Sequence, residues 1–193
     1  MPERILFVGE DKPGTRAQQR LAALREMGHD VEFVRTNPEG ETYETPPTLA
    51  RRIRHRLRRP ADPAGANARL RRAAGRSAAP DVIWIDSAGT IRPRTYRAMK
   101  AAWPDATLIW YAEDDMAQRH NSTIWLERSL DLFDLWVTTK SFNARPEEMP
   151  ARGVRRVLFV NNTYDPATHR RIRLTAADRE RFGAEVSFVG TFE

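Results

Sequence analysis

The stretch Ile5-Leu6-Phe7-Val8-Gly9-Glu10-Asp11, near the start of the chain, decides the fold. Four apolar residues run directly into a small polar cluster, and this arrangement recurs along the 193 residues. The other examples are residues 82–87, 108–115, 135–141 and 157–163. Short continuous runs of β-branched and aromatic residues are typical of strands buried on both faces of a parallel sheet. The sequence therefore predicts an α/β fold with a doubly wound, mostly parallel, Rossmann-like sheet.

The segments between these runs have helical periodicity. Thr15 can cap a helix over residues 15–27, and Gly28 can end it. Leu49, Ile53 and Leu57 form a narrow apolar stripe on a second helix, which could pack on the sheet or contact a membrane. The remaining predicted elements are a strand at 31–34 and helices at 67–79, 93–103, 121–131 and 175–182.

The end of the chain reads as the beginning of another unit. Residues 186–190 form an apolar run that ends in glycine, and such a run normally opens a new βα unit. We therefore expect residues 1–184 to form one Rossmann-like domain and residues 185–193 to begin a truncated second domain. The alternative is that 186–190 is an edge strand of the first domain.

Composition excludes several classes of site. The chain has no cysteine, which rules out disulfides, thiolate metal sites and cysteine nucleophiles. Its four histidines have no metal-ligand spacing, so we expect no metal. No apolar stretch reaches the roughly 20 residues of a membrane span. With no signal peptide recognisable, a cytoplasmic protein is expected.

Positive charge is concentrated in one segment. Residues 51–76 contain ten arginines and one acidic residue, Asp62, whereas the whole chain carries only +6. This patch could be a solvated helix face, or it could bind an anionic membrane surface through residues 51–59, making the protein peripheral to a membrane. Nucleic acid is disfavoured, because no aromatic side chain is interleaved with these arginines.

Polar residues at the strand ends are the candidate site. In a parallel sheet these ends share one edge, so we expect distant clusters to converge there. Glu10 and Asp11 follow the first run and would repel a phosphate, but they suit hydrogen bonds from hydroxyl groups. After the fourth strand, Asp114, Asp115 or His120 could supply a general base. The alternatives are a helix cap at Asp115 or a divalent cation held by the oxygens of Glu113 and Asp115.

A phosphoacceptor receiver domain is a competing interpretation. Asp86 ends the third strand and Lys140 follows the fifth, as the phosphoacceptor and the lysine do in receivers. Against this interpretation, Tyr111-Ala112 stands where a receiver has Ser or Thr, and the strand pattern continues beyond five strands.

Several motifs together resemble the N-terminal half of spore-maturation (CgeB-like) glycosyltransferases. They are residues 4–9, 27–31, 111–116, 120–122, 134–143, 161–169 and 188–193. The resemblance implies a GT-B architecture in which this domain holds the acceptor, while a C-terminal domain, missing here, holds the nucleotide-sugar donor. No cofactor is expected in this chain itself.

The resemblance is compatible with the following roles. Asp114, Asp115 or His120 would orient or deprotonate an acceptor hydroxyl. Lys140 and Asn162 would bind oxygens of the acceptor or of the donor. The acceptor is a sugar or another hydroxyl-bearing molecule. Glu10, Asp11 and Asp86 would be further substrate-binding residues. On this interpretation the chain is part of a transferase and is inactive without its second domain. The alternative is a non-catalytic sugar-binding module.

Overall fold

The computed structural model describes residues 1–75 and 78–186. These residues fall into two compact units, one that ends at Asn162 and one that begins at Thr163. The first unit carries a six-stranded sheet. Its strands are β1 (Arg4–Gly9), β2 (Asp30–Arg35), β3 (Val82–Asp86), β4 (Thr107–Ala112), β5 (Leu135–Thr138) and β6 (Val157–Phe159). Every neighbouring pair is parallel, in the order β2-β1-β3-β4-β5-β6. The predicted fold class is confirmed.

The helices of the first unit connect these strands. They are α1 (Arg16–Glu26), α2 (Leu49–Arg56), α3 (Ala66–Ala73), α4 (Pro93–Ala102) and α5 (Ile124–Glu127). Short 3-10 turns lie at Leu130–Leu132, Ser141–Ala144 and Pro150–Arg152. None of the helices among the described residues is long and apolar enough to cross a membrane.

Both faces of the sheet are covered, which explains the continuous apolar runs. Successive side chains of a strand point to opposite faces. In β1, Leu6 and Val8 therefore join the larger core, to which α3 and α4 contribute, whereas Ile5 and Phe7 pack with Leu21 of α1 in a smaller core. An alternating polar pattern would have left one face wet.

Local sequence signals set the position of α1. The Thr15 hydroxyl accepts a hydrogen bond from the Gln18 N–H at its start, and Gly28 ends it with a φ of +89°. At Gly9, an added Cβ would lie 3.0 Å from a Phe7 ring atom and 3.2 Å from the Asp86 Cβ. Glycine at this position therefore allows the loop after β1 to pass close to the end of β3.

Two predicted helices are shorter than the pattern suggested. The helix predicted over 121–131 is interrupted after Glu127, because the buried Ser129 hydroxyl donates to the Trp125 carbonyl and a 3-10 turn follows. Such side-chain bonds to the backbone compete with helix continuation. The helix predicted over 67–79 ends at Ala73.

The helix α2 turns its apolar stripe outward. Leu49, Ile53 and Leu57 are 72%, 52% and 59% exposed, so the stripe does not pack on the sheet. Two ion pairs connect this segment to the domain: Arg51, on the side of the helix opposite the stripe, pairs with Glu41, and Arg58, just beyond the helix, pairs with Glu127.

The second unit contains one described helix, α6 (Ala176–Phe182). The predicted capping box is present: Thr175 accepts from the Asp178 N–H, and the Asp178 carboxylate accepts from the Thr175 N–H. Residues 187–190 of the strand predicted at 186–190, and with them nearly all of the expected second domain, lie outside the described residues.

Candidate functional site

The candidate site is a crevice where the strand order reverses. Within the sheet, β2 is the neighbour of β1 on one side, and β3 is its neighbour on the other side. In open α/β sheets, ligands bind outside the carboxyl ends of the strands at such a switch point. The loops after β1 and β3 are the two that diverge here.

A cavity of about 300 Å³ occupies this position. It is bounded by the segments after β1, β2 and β3, by one side of α2, and by Thr123 before α5. Its polar lining is Glu10, Thr36, Asn37, Arg51, His55, Ser87, Gly89, Thr90 and Thr123. We call this the switch-point crevice. Two larger cavities beside α2 are lined by no residue of the loops after β1 and β3.

Three side chains of the crevice have polar atoms that are not committed elsewhere. The Glu10 carboxylate is 47% exposed, and its one contact in the described residues is Lys12 Nζ at 3.4 Å. The His55 ring has no hydrogen-bond partner among the described residues. The Thr90 hydroxyl is buried and equally without a partner in the described part of the chain. A buried hydroxyl normally has a partner, which makes Thr90 a candidate ligand contact.

Other polar residues of the crevice hold its walls together. The Asn37 amide accepts from the Asp11 N–H at 2.6 Å and donates to the Pro38 carbonyl at 2.9 Å. The Ser87 hydroxyl donates to the Tyr111 carbonyl at 3.0 Å, and Ser87 has a left-handed φ of +48°. Such a backbone conformation is uncommon for a residue other than glycine.

Asp11 does not line the crevice. Its carboxylate accepts from Gln18 Nε2 at 2.9 Å, and its N–H donates to Asn37, so it orders the loop after β1. Of the two residues predicted together at this loop, Glu10 therefore faces the crevice while Asp11 supports it.

Asp86 is enclosed in a cluster that we call the arginine clamp: Arg20, Asp86, Tyr111 and Glu113. Arg20 donates to both oxygens of Asp86 at 2.6 and 2.8 Å and to Glu113 Oε1 at 2.7 Å. Its guanidinium lies 4.3 Å from the centre of the Tyr111 ring. The Asp86 side chain is only 3% exposed and also accepts from the Trp84 indole at 3.2 Å.

The charges in the clamp stabilise one another. Burial by itself would lower the pKa of Arg20, but hydrogen bonds and charge interactions with Asp86 and Glu113 outweigh burial and leave that pKa above its ordinary value. Burial raises the pKa of the Tyr111 phenol, which the Arg20 charge opposes. Asp86 therefore acts as the buried partner of an arginine, an arrangement poorly suited to attack on a phosphodonor.

The predicted general bases lie on the loop after β4 in three different settings. Asp114 and His120 are exposed, and neither side chain has a hydrogen-bond partner among the described residues. Asp115 Oδ1 accepts from Asn143 Nδ2 at 2.8 Å and from the Ala117 N–H at 3.0 Å. Asn143 is fully buried and also accepts from the Met116 N–H at 3.3 Å. Asp115 thus holds this loop in shape.

Lys140 and Asn162 follow β5 and β6 on the same edge. Lys140 is half-buried, and Asn162 is exposed. Neighbouring strands lie about 4.8 Å apart, so the ends of β1 and β6, four spacings apart, are separated by roughly 19 Å. The predicted residues share one edge, as expected, but they form a rim too long for a single small ligand to touch at both ends.

Metal-ligating groups are sparse on this rim. No cluster of three or more His, Asp or Glu side chains that could hold a metal ion occurs within residues 1–75 and 78–186. The cation alternative at Glu113 and Asp115 therefore gains no third ligand from the described residues.

Sequence reasoning missed several residues of the site. Asn37, His55 and Thr90 were not singled out, although Asn37 stands two residues beyond β2, as Asp11 does beyond β1. Arg20 lies inside a regular helix, where nothing in the local pattern distinguishes it. Comparison with family models, curated proteins and solved structures gave no match to this chain.

Proposed function

We propose that this chain is the acceptor-side domain of a GT-B-type glycosyltransferase, which transfers a sugar from a nucleotide-sugar donor to a hydroxyl acceptor. The observation that carries the proposal is the switch-point crevice, with the uncommitted polar groups of Glu10, His55 and Thr90. The resemblance to CgeB-like glycosyltransferases in the order of the motifs supports the same assignment. A second, donor-binding domain would complete the active site.

The chemistry of the crevice suits a polyhydroxylated acceptor. Carboxylate and hydroxyl side chains accept and donate hydrogen bonds in the pattern that sugar hydroxyls require. A carboxylate or imidazole within reach of an acceptor hydroxyl can also take its proton during transfer. Within the crevice, Glu10 and His55 are the groups that can do this.

The residues on the outer rim have separate proposed roles. Asp114 and His120 are exposed and could meet a donor arriving from a second domain, and Lys140 could contact its oxygens. Asp115 would act by positioning this loop, because Asn143 already occupies one of its oxygens. Negative charge on the rim would stabilise positive character at the anomeric carbon.

Acceptor binding can be tested with the isolated chain. We expect a panel of mono- and disaccharides, screened by saturation-transfer NMR, to include ligands whose affinity falls about 10- to 100-fold in Glu10→Gln, which removes a charged hydrogen-bond partner. Glu26→Gln, an exposed carboxylate on α1, is the matched control. Equal loss in both variants, or no binding by any sugar, would refute acceptor binding in the crevice.

Turnover distinguishes a transferase from a sugar-binding module. With a donor domain supplied, a nucleotide sugar should be consumed, and Asp115→Ala, which removes the acceptor that Asn143 and the Ala117 N–H use to position this loop, should lower the rate. Sugar binding without turnover would favour the module, a possibility consistent with the structural use of Asp115. Labelling of Asp86 by acetyl phosphate would instead favour the receiver interpretation.

A further inference from the structure

Helix α2 has an inverted arrangement of polar and apolar side chains. At 100° per residue, Leu49, Ile53 and Leu57 fall within one narrow sector. All three are more than half exposed, and α2 has no buried residue. Surface helices normally turn such a stripe toward the core. Here the stripe points away from the domain.

The arginines of this segment divide into two groups. Arg51 contacts both oxygens of Glu41 at 2.8 and 3.1 Å. Arg58 donates to the Ser122 carbonyl at 3.1 Å and pairs with Glu127. Arg51 lies on the side of α2 opposite the stripe, whereas Arg58, with a left-handed φ of +56°, lies just beyond the end of the helix.

The other arginines have no carboxylate within reach. Arg52, Arg54, Arg56 and Arg59 are exposed, and no ion pair involves them in the described part of the chain. Arg52 and Arg56 lie on one flank of the stripe, and Arg54 lies on the other. The outer surface of α2 is therefore an apolar strip bordered by unneutralised positive charge. We call it the α2 outer face: Leu49, Arg52, Ile53, Arg54, Arg56 and Leu57.

We propose that the α2 outer face docks on a membrane surface that contains anionic lipids, with the helix axis parallel to the membrane plane. A helix in that position buries its apolar side chains at the acyl boundary, and the flanking arginines meet the headgroups. Long arginine side chains can extend from the helix sides toward the headgroups while their stems cover apolar surface.

Charge decides among the possible occupants of this surface. A second copy of the chain would bring two sets of unpaired arginines together, which opposes self-association through this face. A nucleic acid would match the charge but would leave three apolar side chains facing phosphates. Anionic lipid satisfies both components of the surface.

The same helix connects the proposed membrane surface to the crevice. Arg51 and His55 line the switch-point crevice from the inner side of α2. Membrane docking would thus hold the crevice opening near the headgroups, where a lipid-linked hydroxyl compound could reach it. This last step, unlike the docking itself, depends on the proposed function.

Vesicle flotation with the full chain tests the docking. We expect binding to vesicles of phosphatidylcholine with 30% phosphatidylglycerol, little binding to pure phosphatidylcholine, and weaker binding in 0.5 M NaCl. Each basic residue near such a surface contributes about a fivefold change in binding, so Arg52→Gln/Arg54→Gln/Arg56→Gln should weaken it on the order of 100-fold. Ile53→Ser/Leu57→Ser should weaken it on the order of 10-fold or more.

The matched control is Arg94→Gln/Arg97→Gln/Arg156→Gln, which removes the same charge from exposed positions elsewhere. Circular dichroism checks that each variant is folded. Equal weakening by the control would mean that total charge, and not α2, drives binding, and the proposal would fail. The proposal would also fail if the protein bound vesicles equally with and without anionic lipid, or bound neither. It would fail as well if light scattering showed a dimer that Ile53→Ser/Leu57→Ser converts to monomers.

Failure of docking and failure of the proposed function give different results. If the protein binds vesicles but no sugar reaches the crevice in the Glu10 experiment, the membrane surface stands and the acceptor site falls. If sugars bind but vesicles do not, the reverse holds.

Discussion

Replacing Arg20 with alanine tests whether the arginine clamp stabilises the fold. Arg20 is 16% exposed and makes three hydrogen bonds of 2.6 to 2.8 Å to two carboxylates. In Arg20→Ala, Asp86 keeps its contact with the Trp84 indole at 3.2 Å but loses its charged partner. A carboxylate with a side chain only 3% exposed would then lack charge compensation.

The expected magnitude follows from this burial. Removing one partner of a buried ion pair costs about 3 to 5 kcal/mol, because the other charge stays out of water. Losing the contact between Arg20 and Glu113 adds at most about 1 kcal/mol to this cost, because Glu113 is 26% exposed and solvent screens its charge. With an m-value of about 2 kcal/mol/M, a total loss of about 3 to 6 kcal/mol should lower the urea midpoint by roughly 1.5 to 3 M. Arg20→Lys keeps the charge but loses the two-pronged contact, and should cost about 1.5 to 3 kcal/mol.

Urea unfolding followed by tryptophan fluorescence measures these losses. Trp84, which stacks on Tyr111 with ring centres 5.5 Å apart, is one of the five tryptophans that contribute to this signal. The double variant Arg20→Met/Asp86→Leu removes both charges and should recover at least half of the loss. Arg25→Ala, an exposed position on the same helix, should change stability by about 0.5 kcal/mol or less. A loss below about 1 kcal/mol in Arg20→Ala would show that water compensates Asp86, and the argument from burial would be wrong.

Three further predictions concern the edges of the site. Asn143→Ala leaves the Met116 N–H and one Asp115 oxygen without their partner and should cost about 1 to 3 kcal/mol in urea unfolding, with faster hydrogen exchange at residues 113–121; unchanged exchange would contradict this. The hydrogen bond from Arg51 holds the pKa of Glu41 below its ordinary value near 4.5. The ionised Glu41 therefore stabilises the folded state fully at a pH above that ordinary value. This stabilisation is lost as the pH falls through the pKa of Glu41 in the folded state. The stability difference between wild type and Glu41→Gln should therefore shrink between pH 7 and pH 3, and a constant difference would refute the pairing. Gly9→Ala adds a Cβ at 3.0 to 3.3 Å from three neighbours and should lower stability by about 1 to 3 kcal/mol, measured by thermal unfolding; an unchanged melting temperature would show that the loop relaxes freely.

Local signals predicted the elements of this fold well. The run at residues 5–8 lies in β1. The helix α1 begins after Thr15 and ends before Gly28, as expected. The parallel direction of the strands followed from runs that are apolar on both faces. These features depend on neighbours within a few residues, where the sequence pattern carries the information.

The arrangement of the site depends on contacts that sequence distance conceals. Arg20 and Asp86 are 66 residues apart and meet because β3 lies beside β1. The strand order likewise decides that Glu10 faces a crevice while Asn162 lies roughly 19 Å along the edge. No local pattern specifies which strand neighbours which, so the sequence could predict a shared edge but not its internal distances.

The orientation of α2 shows how specific ion pairs can override an amphipathic pattern. By periodicity alone the helix could rest on its leucines, yet the structure turns Arg51 and Arg58 inward because Glu41 and Glu127 are there to receive them. The Glu41 side chain is 6% exposed, so turning α2 over would leave this buried carboxylate with Lys12, at 3.3 Å, but without its arginine. Exposing three apolar side chains costs free energy in water, and this cost disappears where an apolar surface covers them. The inward ion pairs therefore keep the apolar stripe available on the outside, which is the arrangement that membrane docking requires.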